Sequence, residues 1–568
     1  MGVVPRARLR LVKRRLAAAG TWLVLGLVLH LPPLWVVDAR LADVLALSGE
    51  WCVAVALAAW LAQRWPHRQV GVRVALALAF TGLFTLEVVR TAGRSLTAAD
   101  PQLYDLAFLA NHVVVLVVDL FGVAALVGGL ALLAGVLTAV TAAVFRLLKR
   151  VVAHPGAARD AVVASGVALC LGLLPGTFGA RWVAPDWGRN VVDSVSTWQV
   201  TRQSLAVDPY AALRSHQAVD TPDIGLYVVE SYGRVLDTTP PLHDPYHALL
   251  DDLAPDIEAA GLHVATGWAT ATVSGGRSWI SDASVFLGIG IAHQSTWSHV
   301  QPHTQRFTHL PAWLEQQGYT TVVCRPKDRA RLGVTIRNDF GWDRSVFADD
   351  LQYDGTLIGW GGIPDQYSLG WLHTRTLPEV TGPRFVFFHG VSAHGPWDTV
   401  PVLADDWEAS TDQAVVDEPF EEMGTWNTVL RQARRYGDKL DKGVKLPGRM
   451  FPELRRTYFE AVSYSLRATV GSVAQLPDAD GRILVIYGDH QPPFIARRDD
   501  YDVPVHILAT DPRWLQPFLD HGFVPGMHGA PDAAAVPITA LYPLLAQALV
   551  QQPLADIPMG ISLSDVTR

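Results

Sequence analysis

Apolar residues crowd the first 180 positions of the chain and thin out afterwards. A bilayer core about 30 Å thick is crossed by roughly 20 apolar residues in a helix. Five stretches meet that requirement, at about 20–38, 43–63, 72–92, 120–147 and 160–178. A sixth, Leu106 to Val118, is shorter and is broken by Asn111 and His112, with Asp119 at its end; it is expected at the membrane interface or packed against the bundle. Basic residues cluster before the first stretch (Arg6, Arg8, Arg10, Lys13, Arg14, Arg15), after the second (Arg64, Arg68, Arg73) and after the fourth (Arg146, Lys149, Arg150, Arg159). The loops around Asp38 and Asp100 are poorer in them. Positive residues favour the cytoplasmic side, so the N-terminus is expected inside and, after five crossings, everything beyond about 180 outside. Four more spans follow the first, and no small-residue cleavage site stands out, so the first is expected to stay as an anchor. Of the ionisable residues in this half, Glu50, Glu87, His112 and Asp119, most sit near predicted span ends. That placement suits an anchor that helps shape a lipid site better than a transporter.

Residues 181–222, with Trp187, Trp198 and Tyr210, read as a helical connector along the membrane surface. From Asp223 the period changes. Short β-rich runs appear at Ile224–Val229, Leu262–Thr266, Tyr319–Cys324, Arg384–His389, Arg482–Tyr487 and Val503–Leu508. Continuous apolar runs of this length mark strands buried on both faces. Helical segments such as Tyr246–Ala260 and Phe307–Gln317 alternate with them. The predicted fold is an all-α transmembrane bundle (1–180) followed by the connector and by an α/β sandwich around a mostly parallel sheet (223–550), with a tail at 551–568. Residues 398–456 are polar, without a clear strand, and read as a surface excursion.

Composition changes this picture little. A net charge of −8, without a basic stripe, excludes a nucleic-acid partner. The three cysteines, Cys52, Cys170 and Cys324, exclude a disulfide framework and a cysteine-rich zinc site.

Ligands in sheets of this kind bind at the carboxyl ends of strands, and four clusters fall there. They are Val228-Val229-Glu230-Ser231-Tyr232-Gly233, the glycine-rich turn Ser274-Gly275-Gly276-Arg277-Ser278-Trp279, Phe388-His389-Gly390-Val391-Ser392-Ala393-His394-Gly395-Pro396-Trp397, and Tyr487-Gly488-Asp489-His490-Gln491-Pro492-Pro493. Alone, each is as well explained by a cap or a solvated turn. Together they supply two carboxylates, an imidazole and a hydroxyl, the oxygen and nitrogen donors a divalent ion takes. Such an ion activates a coordinated hydroxyl and neutralises phosphate oxygens, and a glycine-rich turn before a helix offers N–H groups to an anion.

This ordered set resembles the lipoteichoic acid synthase and phosphoglycerol transferase group of the sulfatase-like alkaline phosphatase superfamily, over roughly residues 220–550. The resemblance implies one manganese or zinc ion held by Glu230, Ser278, Asp489 and His490, with Ser278 as nucleophile where lipoteichoic acid synthases usually have threonine. Asp282 matches an acidic residue after the nucleophile. His394 resembles the histidine that contacts the phospho-group and acts as acid or base. Arg337 resembles the arginine that holds the substrate phosphate, although the aromatic residue expected before it is missing; Arg277 is assigned to substrate binding with them. His389 reads as a structural strand-end residue, His506 as a core histidine, and His293, His299, His303 and His309 as surface residues.

The implied activity is transfer of a phospho-headgroup, phosphoglycerol from phosphatidylglycerol above others, through a phospho-serine to a glycan or polyol-phosphate hydroxyl. The implied location is the outer face of a bacterial cytoplasmic membrane, with the bilayer and its phospholipids as partners. A phosphoethanolamine transferase or phosphodiesterase of the same superfamily is the alternative enzyme, although one cysteine beyond residue 180 fits the former poorly. A sulfatase lacks its motif after Ser278. A metal-free sensor or regulator is the alternative outside catalysis, and four filled ligand positions speak against it.

Overall fold

The computed structural model describes residues 6–29, 47–97, 102–152, 163, 180–181, 184–330, 336–359, 361–395, 397, 400–411, 451–476, 481–493, 495 and 500–562. The chain divides into two compact units, one of residues 1–95, 100–103 and 121–194, the other of 96–99, 104–120 and 195–568.

The first unit is helical: α1 (Arg6–Val28), α2 (Gly49–Arg64), α3 (Gln69–Thr97) and most of α4 (Leu103–Val152). Two segments are long and apolar enough to cross a membrane, Pro66–Gly93 and Gly122–Arg150. They coincide with the expected spans at 72–92 and 120–147. Helix α2 has 16 residues, short of the roughly 20 a crossing takes. The expected first span lies partly, and the one at 160–178 almost wholly, outside the described residues, so five crossings are not established. Gly122 takes φ 79° and ψ 166° inside α4, a conformation open to glycine and costly for other residues. It separates the apolar span from the weaker stretch before it. That stretch, Tyr104–Leu120, packs within the second unit, where packing against the bundle was one of the expected alternatives. Its polar residue Asp105 finds partners there.

In the second unit, α5 (Ala184–Ser204) leads to a nine-stranded sheet. The strands are β1 (Asp223–Val229), β2 (His263–Thr270), β3 (Thr320–Arg325), β4 (Arg344–Phe347), β5 (Arg384–His389), β6 (Arg482–Gly488), β7 (Asp502–Ala509), β8 (Val524–Pro525) and β9 (Val536–Pro537). Their order is β8-β2-β7-β6-β1-β5-β3-β4, with β9 against β2. The run β6-β1-β5-β3-β4 is parallel. Strand β7 is antiparallel to both β6 and β2, so the sheet is mixed, with most of its pairings parallel. Parallel neighbours need a long crossover, usually a helix. Among the described residues no helix lies between β6 and β7, and β7 folds back.

Both faces of the parallel half are covered. Leu226, Val228, Phe385, Phe387, Val485 and Tyr487 join one hydrophobic core, and Tyr227, Val229, Val386, Phe388, Leu484 and Ile486 the other. This two-sided burial is why the strands read as unbroken apolar runs. Helix α6 (Pro240–Ala259) and helix α8 (Phe451–Ala474) belong to the second core, and α7 (Ser278–Leu287) to the first. The polar excursion therefore ends by residue 450, and its positions 412–450 lie outside the described residues.

Candidate active site

The register brings the chemistry to one edge. Val228 pairs with His389 and Tyr487, and Val229 with Gly488. Glu230, His389 and Asp489 therefore emerge side by side at the carboxyl ends of three neighbouring parallel strands. Two of the four motifs interlock through their glycines. A Cβ on Gly488 would come 1.9 Å from the Tyr232 carbonyl, and one on Gly233 would come 2.0 Å from Oε1 of Gln491. No side chain fits either place. The Ser231 N–H donates to Asp489 Oδ1 (2.8 Å), and the Gly275 N–H donates to the Gln491 carbonyl (2.9 Å). That last bond fastens the glycine-rich turn to the Asp-His strand end.

The turn itself is left-handed at three successive residues, Gly275 (φ 70°), Gly276 (φ 134°) and Arg277 (φ 70°). Non-glycine residues adopt this region at a cost of order 1–3 kcal/mol, tolerated where the surroundings enforce it. Here the Arg277 guanidinium lies 3.6 Å from Asp105 and donates to the Ala292 carbonyl (3.2 Å). Asp105 also accepts the Ser295 N–H (2.8 Å). The turn delivers Ser278 as the first residue of α7, where free N–H groups and the helix dipole favour an anion.

The half-buried Ser278 hydroxyl lies 3.0 and 3.2 Å from the two Glu230 carboxylate oxygens and 3.2 Å from His490 Nε2. His490 Nδ1 donates to the Gln491 carbonyl (2.9 Å), so in the neutral ring Nε2 turns its lone pair to the site. Asp489 Oδ2 is buried and makes no hydrogen bond among the described residues, 3.2 Å from His490 Nε2. Glu230, His389 and Asp489 offer donor atoms that lie within 4.8 Å of one another.

His389 corrects the sequence reading. It is no mere strand end: Nε2 lies 3.1 Å from Glu230, and Nδ1 lies 3.0 Å from Asp282 on α7. Arg325, at the end of β3, donates to the same Asp282 carboxylate (3.1 Å). An imidazole held from behind by a carboxylate is the usual arrangement of a metal-binding histidine.

The electrostatics of the cluster suit a bound cation. Burial pushes the Glu230 carboxyl up, yet His394, His389 and His490 outweigh it and hold it well below the usual range. Burial and the charge of Glu230 push Asp489 up to about 6. Burial opposes charge on His490, but Asp489 and Glu230 raise it to about 9. Likewise Asp282 and Glu230 overcome the burial of His389 and hold it well above an ordinary histidine. Three carboxylates so close together are costly to bury without positive charge, and protonated imidazoles supply it in the structure. The unpaired Oδ2 of Asp489 and the two imidazoles held from behind fit a divalent ion with nitrogen and oxygen ligands.

His394 follows β5 with Nδ1 donating to the Gly395 carbonyl. Burial and the ammonium of Lys327 push it down to about 4, so it is a neutral base near pH 7. Its loop is held by buried Asp365, which accepts the N–H groups of Val391 (2.7 Å) and Ser392 (3.1 Å). Arg337 is 56% exposed and pairs with Asp339 at 3.2 Å. No hydrogen bond or ion pair among the described residues joins it to the cluster.

Of the other histidines, His506 is a core residue as expected, fully buried in β7. His309 was expected at the surface but is also fully buried, because its Nδ1 caps a helix by accepting the Ala312 N–H (3.2 Å). His293, His299 and His303 are half-buried. Lys327 and Asp365 escaped the sequence reading. Lys327 lies just past the Tyr319–Cys324 run, where the strand-end rule would have found it. Asp365 has no local signal, since its partners, the Val391 and Ser392 N–H groups and the Ser465 hydroxyl, are distant in sequence.

No protein-family profile matches the chain, and no curated protein sequence does. Solved structures similar to it include lipoteichoic acid synthase LtaP from Listeria monocytogenes (15% identity, TM-score 0.37, covering 63% of this chain and 80% of that one). The integral membrane lipooligosaccharide phosphoethanolamine transferase A from Neisseria meningitidis is 10% identical, with a TM-score of 0.44, over 87% of this chain and 92% of that one. Phosphoglycerol transferase GacH from Streptococcus pyogenes, solved with sn-glycerol-1-phosphate, is 12% identical, with a TM-score of 0.32, over 64% and 88%.

Proposed function

We propose that the chain is a metal-dependent phosphotransferase anchored in the cytoplasmic membrane, with its second unit on the outer face. It would move a phospho-headgroup, phosphoglycerol in the first instance, from a membrane phospholipid to a glycan or polyol-phosphate hydroxyl. The observation that carries this reading is the Ser278 hydroxyl at a helix N-terminus, 3.0 Å from a buried carboxylate and 3.2 Å from His490 Nε2. A nucleophile placed so has both activation and an anion site beside it.

Glu230, Ser278, Asp489 and His490 would hold one manganese or zinc ion, and His389 Nε2 faces the same point. Such an ion supplies Lewis acidity to the phosphoryl oxygens and lowers the pKa of a bound hydroxyl. Ser278 Oγ attacks phosphorus, its proton ends on the departing glycerol oxygen, and diacylglycerol leaves. The acceptor hydroxyl then attacks the phospho-serine as His394 takes its proton, and that proton returns to Oγ as the P–Oγ bond breaks. Arg337 and Arg277 are proposed substrate contacts. Arg277 would act through its place in the turn, since its guanidinium is already engaged.

The test is mass spectrometry of the full chain in detergent after incubation with phosphatidylglycerol and manganese, beside Ser278→Ala. A glycerol-phosphate adduct on the wild type alone supports the reading. An ethanolamine-phosphate adduct from phosphatidylethanolamine would change the donor. No adduct from either lipid in a metal-loaded, folded protein would remove the transferase reading.

A further inference from the structure

A second cluster of histidines lies apart from Ser278. His243 and His247 are one helical turn apart on α6, and His528 follows β8. His247 Nε2 lies 2.9 Å from Asp237 Oδ1, and His528 Nε2 lies 2.8 Å from Asp251 Oδ1. An ionised carboxylate only accepts, so each of these nitrogens carries its hydrogen. Both neutral rings must then present a bare lone pair at Nδ1. Those two Nδ1 atoms face each other at 3.0 Å. Two lone pairs at that distance repel unless a cation, either a second proton on one ring or a metal ion, lies between them.

We propose that this cation is a zinc ion, held by Nδ1 of His247 and Nδ1 of His528. With Zn–N bonds of about 2.0–2.1 Å and tetrahedral angles, two ligand nitrogens sit about 3.3 Å apart, within a few tenths of an ångström of the distance found. Each imidazole is backed by a carboxylate, the outer arrangement that metal-bound histidines keep. A third imidazole is at hand. The His243 ring stacks on that of His247 with centroids 4.2 Å apart, and it forms with Asp237 and His247 a group whose donor atoms lie within 4.8 Å of one another, a group that does not include His528. All three rings are partly exposed, at 46%, 30% and 39% for His243, His247 and His528, so an ion reaches them from solvent. The site would tie α6 to the segment after β8. That segment is already fixed nearby by Thr266 donating to the Gly526 carbonyl and Trp268 to the Ala530 carbonyl, each at 2.7 Å, so His528 is held in place before any metal binds.

The experiment uses untagged full-length protein, equilibrated with zinc, stripped of loose metal and measured by elemental mass spectrometry. His528→Ala and His247→Ala are each expected to hold one zinc fewer than the wild type, with adduct formation at Ser278 unchanged in His528→Ala. Asp251→Asn keeps the shape and removes only the outer partner, and it should weaken zinc about 10- to 100-fold in competition with a chromophoric chelator. Equal zinc content in the wild type and both alanine variants would overturn the site and leave a proton as the bridging cation. Unchanged affinity in Asp251→Asn would also count against it. His490→Ala separates this site from the proposed active site: zinc lost with His528→Ala but not with His490→Ala would support this inference and remove the other metal.

Discussion

Two buried polar networks lie in the same sheet and behave in opposite ways. Around β7, a chain of hydrogen bonds closes on itself. Tyr246 donates to Tyr232 (2.6 Å), Tyr232 to His506 Nε2 (3.0 Å), His506 Nδ1 to Thr266 (2.9 Å) and Thr266 to the Gly526 carbonyl (2.7 Å). Every donor has an acceptor, and burial pushes His506 down to about 3, so it stays neutral. At the carboxyl edge of the parallel strands, by contrast, carboxylates crowd together, one of their buried oxygens makes no hydrogen bond among the described residues, and histidines are driven towards charge. Burial alone does not mark a working histidine; an unbalanced set of partners does. A satisfied network stabilises, and an unsatisfied one has stability withheld until a ligand arrives.

The comparison can be broken most directly at the nucleophile. Ser278→Ala should lower transfer by at least about 10³-fold, since the rest of the site retains only residual catalysis, while the thermal midpoint stays near that of the wild type. Transfer that survived would place the nucleophile elsewhere. The pH dependence of metal-free protein is the next largest effect. Because His490 is raised from 6.5 to about 9, its stabilisation is complete below pH 6.5 and is lost as pH rises through about 9, on the order of 3 kcal/mol in all. Saturating metal should flatten that slope in denaturant titrations, and an identical slope with and without metal would contradict a shared site.

Asp282→Asn probes the support behind His389 and should weaken metal binding about 10- to 100-fold; unchanged metal affinity would return His389 to a structural role. The smallest change is expected from the satisfied network. His506→Leu strands the hydroxyls of Tyr232 and Thr266 and should cost about 1–3 kcal/mol in urea unfolding, with metal content and adduct formation untouched. Loss of metal in that variant would erase the distinction between the two networks.

Much of this was legible along the chain. The Arg384–His389 run is β5 residue for residue, and the Glu230, Ser278 and Asp489-His490 positions meet because strand ends in register must meet. What could not be read was the pairing of His389 with Asp282, which depends on how α7 lies on the sheet. Phe286 packs edge-on against Phe387 at 4.7 Å. One turn back along the helix is Asp282, and two residues on along the strand is His389, nearly equal lengths that bring them together. The antiparallel sense of β7 could not be read, because apolar content is the same in either sense. In the first unit the stretches at 72–92 and 120–147 were legible, because length and composition suffice there without knowledge of packing; those at 20–38 and 160–178 lie partly or almost wholly outside the described residues.

The interlock of Gly233 and Gly488 with their opposite numbers also sets an order in time. The motif at 230–233 and that at 488–491 are some 250 residues apart in sequence, and neither positions its ligands without the other. As the chain is made from its N-terminus, Ser278 is in place long before Asp489 and His490 are. Until the last strands arrive, the hydroxyl has no carboxylate–imidazole cradle and remains an ordinary alcohol among the lipids it passes. The site is thus assembled only once the strand ending at Gly488 is in place.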